Sequence, residues 1–336
     1  MAYDYYRSGS DAEQALRRNV RAFRDYVIWY RVLVDVAERD LSTTVQGFPV
    51  STPILIAPTA YHKLAHPDGE IATARAAAEL GTIYVASTLA TTTLEEVAES
   101  TSAPKWFQLY VHKDREFTAS LVHRAEAAGY DALVVTVDTP LLGRRIRDEK
   151  NRFDLPNGLV MANLVAALAD RPDDSSLLSS YVAQRHDASF TWADIGWLRS
   201  LSHLPIILKG IVRADDAARA AEAGVSGIIV SNHGGRQLDG SPATLDALPG
   251  VAQAVAGRCE VYLDGGIRWG EDIFKALALG ARAVLVGRPV LWGLTVGGQA
   301  GVADVLRLLT NELSRVLALA GCPSVRGIDR TMVARG

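Results

Sequence analysis

The chain has 336 residues, of which 49% are hydrophobic and 22% charged, a composition typical of a globular protein in water. Because its formal net charge is only −3, with acidic and basic residues interspersed, nucleic acid and anionic membrane surfaces are poor candidate partners, and a small-molecule ligand is favoured. The two cysteines, Cys259 and Cys322, form no disulfide framework, no apolar run is long enough for a membrane span, and the start is unlike a signal peptide, so we expect a cytoplasmic protein.

The first 50 residues carry one helical signal. Ser10 stands at the position of an N-cap and Glu13 follows three positions later, which is the pattern of a capping box. We therefore predict a capped helix over 10–23, ahead of the repeated part of the chain.

Eight short apolar runs follow, each nearly continuous in hydrophobic character, as in parallel strands covered on both faces. They are PILIAP (53–58), IYVAS (83–87), WFQLY (106–110), ALVVTVD (132–138), PIILKG (205–210), GIIVSN (227–232), VYLDGG (261–266) and AVLVG (283–287). Alanine-rich helical patterns lie between them, over 69–80, 114–129, 215–224 and 271–280. This repeat predicts eight parallel strands alternating with helices.

Eight such units close most simply into a TIM barrel, an α/β fold, with a doubly wound open sheet as the alternative. We expect a single domain over 1–336, with the barrel over about 52–300 and a further amphipathic helix over 301–320. The gap between the fourth and fifth runs is much longer than the others, which places an insertion at about 140–190. We interpret this insertion as an active-site lid rather than a disordered tether.

Polar or small residues follow almost every predicted strand, and in a TIM barrel these positions meet at the end where the chemistry takes place. Any one of them is explained equally well by a strand leaving the core, but several charged or titratable groups on one ring indicate a ligand site. These residues are Pro58, Thr59, Ala60, Ser87, Gln108, Tyr110, Thr136, Asp138, Lys209, Gly210, Ser231, Asn232, His233, Asp264, Gly265, Gly266, Gly287 and Arg288.

The loops after the last two predicted strands are glycine-rich, and each carries an arginine. They are DGGIR (264–268), with Arg268, and GRP (287–289), with Arg288. Barrels often bind phosphate at this place, through backbone N–H groups and the start of a helix. We therefore expect a phosphorylated ligand.

The stretch SNHGGRQLD (231–239) is the most informative. His233 comes directly after a buried strand and before two glycines that let the backbone approach a ligand, so it is well placed as a general base. Arg236 can hold a carboxylate in two places. No second histidine lies at ligand spacing, which argues against zinc or iron. The other histidines are interpreted as structural: His62, His66, His112, His123, His186 and His203.

These blocks resemble the family of FMN-dependent 2-hydroxy-acid oxidases and dehydrogenases, which includes glycolate oxidase, lactate oxidase, mandelate dehydrogenase and hydroxymandelate oxidase. The match runs from DYYRSG (4–9) to about residue 325, and the glycolate-oxidase-like branch is the most similar. The family usually has a further stretch before DYY, so we expect an N-terminal helix to be missing or trimmed. The matching blocks are APTA, AHPDGE, FQLYV, TVDTP, GRR, KNRF, LPIILKG, GIIVSNHGGRQLDG, DGGIR, FKALALGA and VGRPV.

The resemblance implies that FMN lies across the barrel mouth beside a 2-hydroxy acid. The implied FMN-binding residues are Pro58, Thr59, Ala60, Ser87, Gln108, Thr136, Lys209, Ser231, Asp264, Gly266, Arg268, Gly287 and Arg288. The implied substrate-binding residues are Tyr5, Tyr110, Arg145, His233 and Arg236, and to these we add Leu89. The implied catalytic residues are His233, Tyr110, Asp138 and Lys209.

The implied reaction is oxidation at the carbon α to a carboxylate. Arg145 and Arg236 clamp the carboxylate. His233 accepts a proton, either from the hydroxyl group while hydride passes to the flavin, which we favour, or from Cα to give a carbanion. Asp138 orients His233 and stabilises its imidazolium form, and Lys209 offsets negative charge on the reduced flavin.

Three other functions stay open at this point. The first is a dehydrogenase with a quinone or cytochrome as electron acceptor, and the second is a non-redox barrel enzyme, such as an isomerase, with a phosphorylated substrate. A non-catalytic binding protein is the least favoured. Ala60 is typical of the family's oxidases, whereas some dehydrogenases have glycine there, so we expect oxygen as the acceptor and hydrogen peroxide as a product.

Substrate size is predicted from Leu89. The glycolate-oxidase branch commonly has tryptophan at this position, so the pocket should be roomier here unless Tyr61 or the 157–190 segment refills it. We expect longer or aromatic (S)-2-hydroxy acids, such as mandelate, to be accepted at least as well as glycolate. Because the family is commonly tetrameric, we also expect a homotetramer.

Overall fold

The structure, a computed structural model, describes residues 1–165 and 185–336. Its strands are β1 (Tyr26–Ile28), β2 (Thr43–Val45), β3 (Phe48–Val50), β4 (Ile54–Ile56), β5 (Tyr84–Ser87), β6 (Lys105–Leu109), β7 (Ala132–Thr136), β8 (Ile206–Ile211), β9 (Gly227–Val230), β10 (Glu260–Asp264), β11 (Ala283–Val286) and β12 (Val333–Arg335). The eight strands β4 to β11 are parallel and close into a barrel, in which β11 pairs with β4. This confirms the predicted TIM barrel and excludes the open sheet.

The helices surround the barrel. They are Ala2–Arg7, Gln14–Arg21, Gly69–Glu79, Leu94–Glu99, Arg115–Ala127, Ile146–Asn151, Ile195–Ser200, Ala214–Glu222, Thr244–Val255, Gly270–Ala278 and Arg288–Ala320. The last of these is interrupted at Gly297 and Gly298, whose backbone angles are not helical. The four helical patterns between strands and the helix predicted over 301–320 are thus confirmed.

The barrel strands coincide with the eight apolar runs, and several of the runs extend beyond the end of the strand. For example, all five residues of β7 are buried, whereas Val137 and Asp138 at the end of the same run lie beyond the strand. The strands stop where polar and glycine residues turn into loops. The functional side chains therefore lie on the loop that follows each strand or on its last residues.

A hairpin of β2 and β3 closes the end of the barrel where the strands begin. Val45 and Val50 from this hairpin pack in one buried cluster with Trp106 and Tyr262 from the barrel. At the turn, the Gln46 side chain donates a hydrogen bond of 2.9 Å to the Tyr262 hydroxyl. This end of the barrel is therefore sealed, largely by apolar side chains.

The capped helix predicted over 10–23 is wrong at its start. The helix covers Gln14–Arg21, and Glu13 precedes it with a left-handed backbone (φ +59°) and no side-chain cap hydrogen bond. Ser10 instead donates its N–H (2.9 Å) and its hydroxyl (3.3 Å) to the carbonyl of Gly235. Ser10 is buried, so its polar groups need a partner. The Gly235 carbonyl, 225 residues away in the chain, fills this role in place of a local helix cap.

Two further segments complete the fold. Strand β1 pairs antiparallel with β12, which joins the first and last parts of the chain in one small sheet. The insertion after β7 contains the helix Ile146–Asn151, while 166–184, the middle part of the predicted lid, lies outside the described residues. Among the helices that the structure describes, none is long and apolar enough to cross a membrane.

Candidate active site

A cavity of about 1080 Å³ opens at the carboxyl ends of the barrel strands and is lined from all eight of them. Ser231 and Asp138 lie behind its wall, hydrogen-bonded to Lys209 and His233 respectively. The other predicted site residues are on the wall itself: Tyr5, Pro58, Thr59, Ala60, Ser87, Leu89, Gln108, Tyr110, Thr136, Arg145, Lys209, His233, Arg236, Asp264, Gly266, Arg268, Gly287 and Arg288.

The loop after β9 has an unusual backbone that fixes His233. His233, Gly234 and Gly235 all have left-handed conformations, with φ of +59°, +64° and +75°. A Cβ atom on Gly235 would lie 2.5 Å from the backbone nitrogen of Leu16, so glycine is required for the N-terminal segment to pack on the loop. The His233 N–H donates to the Ser231 hydroxyl at 3.0 Å. The left-handed backbone and the hydrogen bond to Ser231 therefore fix the residue that carries the imidazole on the cavity wall.

His233 is paired with a carboxylate on the neighbouring loop. Its Nδ1 lies 2.9 Å from Oδ1 of Asp138, and its Nε2 lies 3.5 Å from the Tyr110 hydroxyl. A Cβ atom on Gly210 would lie 2.6 Å from Cβ of Asp138, so glycine there makes room for this carboxylate. Burial lowers the pKa of His233, and together with the nearby cations Lys209 and Arg145 it outweighs the opposite effect of Asp138. The imidazole is therefore neutral at pH 7, with Nδ1–H donating to Asp138 and Nε2 free to accept a proton.

Lys209 provides a fixed positive charge at the cavity floor. Its Nζ donates to the Ser231 hydroxyl at 2.9 Å and lies 3.2 Å from Oδ2 of Asp264. Burial alone lowers the pKa of Lys209, but Asp264 and Asp138 outweigh burial and raise it overall. The other carboxylate oxygen of Asp264, Oδ1, is buried and has no hydrogen-bond partner in the described part of the chain. Asp264 therefore keeps an acceptor for a ligand hydroxyl group.

Two wall arginines are held by backbone carbonyls of the N-terminal segment. Arg236 donates to the carbonyls of Tyr5 (2.5 Å) and Ser8 (2.9 Å). Arg288 donates to the carbonyls of Tyr6 (2.9 Å) and Ser8 (3.1 Å). Burial and repulsion between neighbouring guanidinium groups lower the pKa of Arg236 to about 10 and that of Arg288 to about 9. Both side chains are still cationic at neutral pH.

Four arginine side chains on the cavity wall form no ion pair with a carboxylate among the residues that the structure describes. Within residues 1–165 and 185–336, their guanidinium groups have no carboxylate oxygen within 4.0 Å. Arg145 is only 5% exposed, and its Nε has no hydrogen-bond partner among these residues. Buried like charges are unfavourable unless an anion joins them, so the cavity suits a ligand with anionic groups. The four are Arg145, Arg236, Arg268 and Arg288.

Polar side chains on the first four barrel strands orient one another. Gln108 donates from Nε2 to the Thr136 hydroxyl at 2.9 Å and accepts at Oε1 from the Ser87 hydroxyl at 3.3 Å. The Thr59 hydroxyl lies 2.5 Å from Nε2 of His62, which is fully buried behind it. These groups are therefore positioned by the protein's own hydrogen bonds.

Leu89 is on the cavity wall, and Tyr61 lies next to it without lining the cavity. The Tyr61 N–H donates to the Leu89 carbonyl at 3.2 Å, its ring lies 5.5 Å from the Tyr5 ring, and its hydroxyl donates to the sulfur of Met161 at 3.6 Å. The roomier pocket predicted from Leu89 therefore stays a prediction.

Sequence reasoning missed several wall residues, of which His186 is the most informative. Its ring stacks on Tyr110 with centroids 4.5 Å apart, and burial lowers its pKa to about 4. The next residue, Asp187, donates its N–H to the carbonyl of Val111, which fixes this segment beside the end of β6. No motif marks His186, because it follows the insertion rather than a strand. Other missed wall residues are Tyr6, Thr139, Leu142, Gly234, Ile267 and Leu291.

Comparisons with known proteins agree on one family. A family model described as FMN-dependent dehydrogenase matches residues 1–335. The chain is 55% identical to L-lactate oxidase of Nostoc sp. (99% of this chain and 93% of that protein) and 52% identical to 2-hydroxyacid oxidase 1 of Homo sapiens (99% and 92%). A solved structure of mandelate oxidase with (S)-4-hydroxymandelic acid superposes with a TM-score of 0.95 at 42% identity, covering 100% of this chain and 94% of that one.

Proposed function

The chain belongs to the FMN-dependent dehydrogenase family, and we propose that it oxidises (S)-2-hydroxy acids to 2-oxo acids and passes the electrons to oxygen, producing hydrogen peroxide. FMN is its cofactor, as the sequence resemblance implied. The observation that carries the proposal is the pair of His233 and Asp138 beside the unpaired guanidinium groups of Arg145 and Arg236. Oxidation of the carbon next to a carboxylate requires a base that accepts a proton and cations that bind the carboxylate.

The cavity fits FMN on the chemistry of its groups. We assign the phosphate to Arg268 and Arg288 with the glycine loops beside them, because these cations have no carboxylate partner among the described residues. The unpartnered Oδ1 of Asp264 suits a ribityl hydroxyl. FMN supplies an acceptor for the two electrons that leave the substrate. The remaining residues proposed to hold it are Pro58, Thr59, Ala60, Ser87, Gln108, Thr136, Lys209, Ser231, Gly266 and Gly287.

Arg145 and Arg236 bind and orient the substrate carboxylate. Arg236 is already fixed by the carbonyls of Tyr5 and Ser8, so little side-chain freedom is lost when the substrate binds. Arg145 keeps its buried Nε available. The hydroxyl groups of Tyr5 and Tyr110 complete the clamp by hydrogen-bonding the substrate oxygens.

His233 takes the proton at Nε2. Asp138 holds Nδ1–H at 2.9 Å, which keeps the ring in the required tautomer and stabilises the imidazolium that forms. Lys209 places a permanent positive charge at the floor of the same cavity, where it stabilises negative charge that develops during the reaction. We favour removal of the hydroxyl proton by His233 while the Cα hydrogen leaves as hydride.

Steady-state kinetics with glycolate, L-lactate, (S)-2-hydroxyoctanoate and (S)-mandelate test this proposal, with hydrogen peroxide measured directly. We expect one mole of peroxide for each mole of 2-oxo acid. If none of these acids reduced the bound flavin, the proposed function would be wrong.

The alternative acceptor is a quinone or a cytochrome. Ala60 on the cavity wall and the oxidase names of the relatives support oxygen instead. Stopped-flow reoxidation of the reduced enzyme should be fast in air-saturated buffer. Slow reoxidation by oxygen, with fast reoxidation by an artificial quinone, would favour the dehydrogenase.

We propose that larger or aromatic acids are substrates. Leu89 lines the cavity at the position where the glycolate-oxidase branch commonly has the larger tryptophan, which supports apolar space for a substrate side chain. Each CH₂ buried there contributes about 0.8 kcal/mol. A specificity constant for glycolate clearly above those for (S)-mandelate and (S)-2-hydroxyoctanoate would contradict this preference.

Assembly and compartment complete the proposal. The segment around Trp29, Tyr30, Val32 and Leu33 exposes large apolar side chains, at 65% to 104% of their full area, which supports burial in a homotetramer. Light scattering of the purified protein tests the tetramer.

Free Cys259 and Cys322 support a reducing, cytoplasmic environment.

A further inference from the structure

A groove rich in arginine runs beside the active-site cavity, and nothing in the proposed reaction uses its outer part. Seven arginines line it. Arg268 and Arg288, at its inner end, also line the cavity, whereas Arg7, Arg17, Arg18, Arg21 and Arg24 do not. We propose that the outer part of this arginine groove, lined by Arg7, Arg17, Arg18, Arg21 and Arg24, binds a small molecule that carries a chain of phosphate groups, at a site separate from the FMN phosphate.

In the part of the chain that the structure describes, none of the five outer arginines has a carboxylate oxygen within 4.0 Å. They differ in this from Arg213, which pairs with Asp215 at 2.6 Å. Glu13 also lines the groove, but it is bonded to Arg147 at 3.0 Å. A concentration of unpaired cations on a chain of net charge −3 points to an anionic partner.

The arrangement of the arginines favours several phosphates in a row. Arg17, Arg21 and Arg24 follow one another at intervals of four and three residues along the helix Gln14–Arg21 and the turn after it, so they lie on one face. Guanidinium groups are planar forks that match phosphate oxygens two at a time. A linear series of phosphates therefore meets successive forks, whereas a single carboxylate would engage one.

Aromatic rings beside the arginines favour a nucleotide as the ligand. Two aromatic rings, Tyr3 and Trp292, lie at one side with centroids 5.5 Å apart, and Tyr3 is 61% exposed. These rings provide a stacking surface for a base. The shared chemistry is the phosphate chain, and its source is either a nucleotide or an inorganic polyphosphate.

Isothermal titration of the FMN-loaded enzyme with sodium tripolyphosphate, and separately with ATP, tests the proposal. The test variant combines Arg17→Gln, Arg21→Gln and Arg24→Gln, which are exposed side chains outside the catalytic cavity. The matched control is Arg213→Gln. We expect the test variant to bind tripolyphosphate at least roughly tenfold more weakly than the wild type, and the control to be unchanged. Oxidation of the 2-hydroxy acid should be the same in all three proteins.

The outcomes separate the sources and the alternatives. Tighter binding of ATP than of tripolyphosphate, lost in Tyr3→Ala, identifies a nucleotide, and equal binding identifies inorganic polyphosphate. The proposal is overturned if neither binds, if test and control variants bind alike, or if binding only releases FMN, as followed by flavin fluorescence. It is also overturned if poly-glutamate or double-stranded DNA binds more tightly than either phosphate compound. None of these results depends on whether the enzyme oxidises 2-hydroxy acids.

Discussion

The two ends of the barrel are built from the same strands but with opposite chemistry. Strand β6 carries Trp106, buried against Tyr262 at the sealed end, and two residues later Gln108 on the active-site wall. Strand β10 likewise contains Tyr262 and, two residues on, Asp264. In these two strands, the residue that stabilises the barrel and the residue that lines the active site are only two positions apart. Substitutions at the two ends should therefore have separable effects.

The largest effect is expected at the functional end, from His233→Ala. Loss of the base should lower kcat/KM by roughly 100- to 10,000-fold, because the proton then has no positioned acceptor. The FMN content and the melting temperature should stay near those of the wild type. His123→Ala is the matched control, since this histidine is exposed. Unchanged reduction kinetics in His233→Ala would remove His233 from the mechanism.

The opposite pattern is expected at the sealed end, from Trp106→Ala. Trp106 is fully buried, and the cavity left behind should cost about 3–5 kcal/mol of the free energy of unfolding. Denaturant unfolding measures this loss, and kcat per bound FMN should stay near that of the wild type. If the variant does not fold, Trp106→Phe gives a smaller loss in the same direction. A fall in kcat with unchanged stability would contradict the separation of the two ends.

Arg236→Lys tests how the substrate carboxylate is bound at the functional end of the barrel. A lysine ammonium cannot meet both oxygens of a carboxylate and cannot reach the carbonyls of Tyr5 and Ser8 in the same way. We expect kcat/KM to fall by roughly tenfold to a hundredfold. The exposed Arg213→Lys is the control. Near-normal turnover of Arg236→Lys would mean that the carboxylate is held elsewhere.

The pH dependence tests the electrostatics of the same end. Because burial lowers the pKa of His233 below its ordinary value, the neutral base persists at lower pH than for a free imidazole. The kcat/KM profile should therefore have an acid limb with its midpoint below about pH 6.5, the ordinary value for an imidazole, and a decline of up to tenfold per pH unit below that midpoint. An acid limb with its midpoint above this value would indicate that the imidazolium, not the imidazole, is stabilised by the site.

The smallest effect is expected from Leu89→Trp, which alters specificity alone. The larger ring should fill the apolar space and shift the ratio of kcat/KM for (S)-mandelate to that for glycolate toward glycolate, by about tenfold. The FMN content should not change. An unchanged ratio would assign Leu89 to packing at the barrel rim.

Local sequence was enough to predict the barrel and the residues that line its mouth. Residues such as Lys209 and Asp264 could be identified because a strand and the residues that end it are adjacent in the chain. The carbonyls that hold Arg236 and Arg288 could not be, since a backbone oxygen has no sequence signature and lies more than 225 residues away. For the same reason Ser10 was misassigned, because its partner, the Gly235 carbonyl, is equally distant. His186 was missed because it reaches the wall from the insertion, which has no repeat to place it.

The N-terminal segment over the cavity has a consequence for how the enzyme is made. During synthesis Tyr5, Tyr6 and Ser8 leave the ribosome before the two arginines that they bind, which follow 231 and 280 residues behind Tyr5 and Ser8. Until Arg288 has emerged, this segment lacks one of the two side chains that hold it. We therefore expect a nascent or prematurely ended chain to become active only after Arg288 has been added.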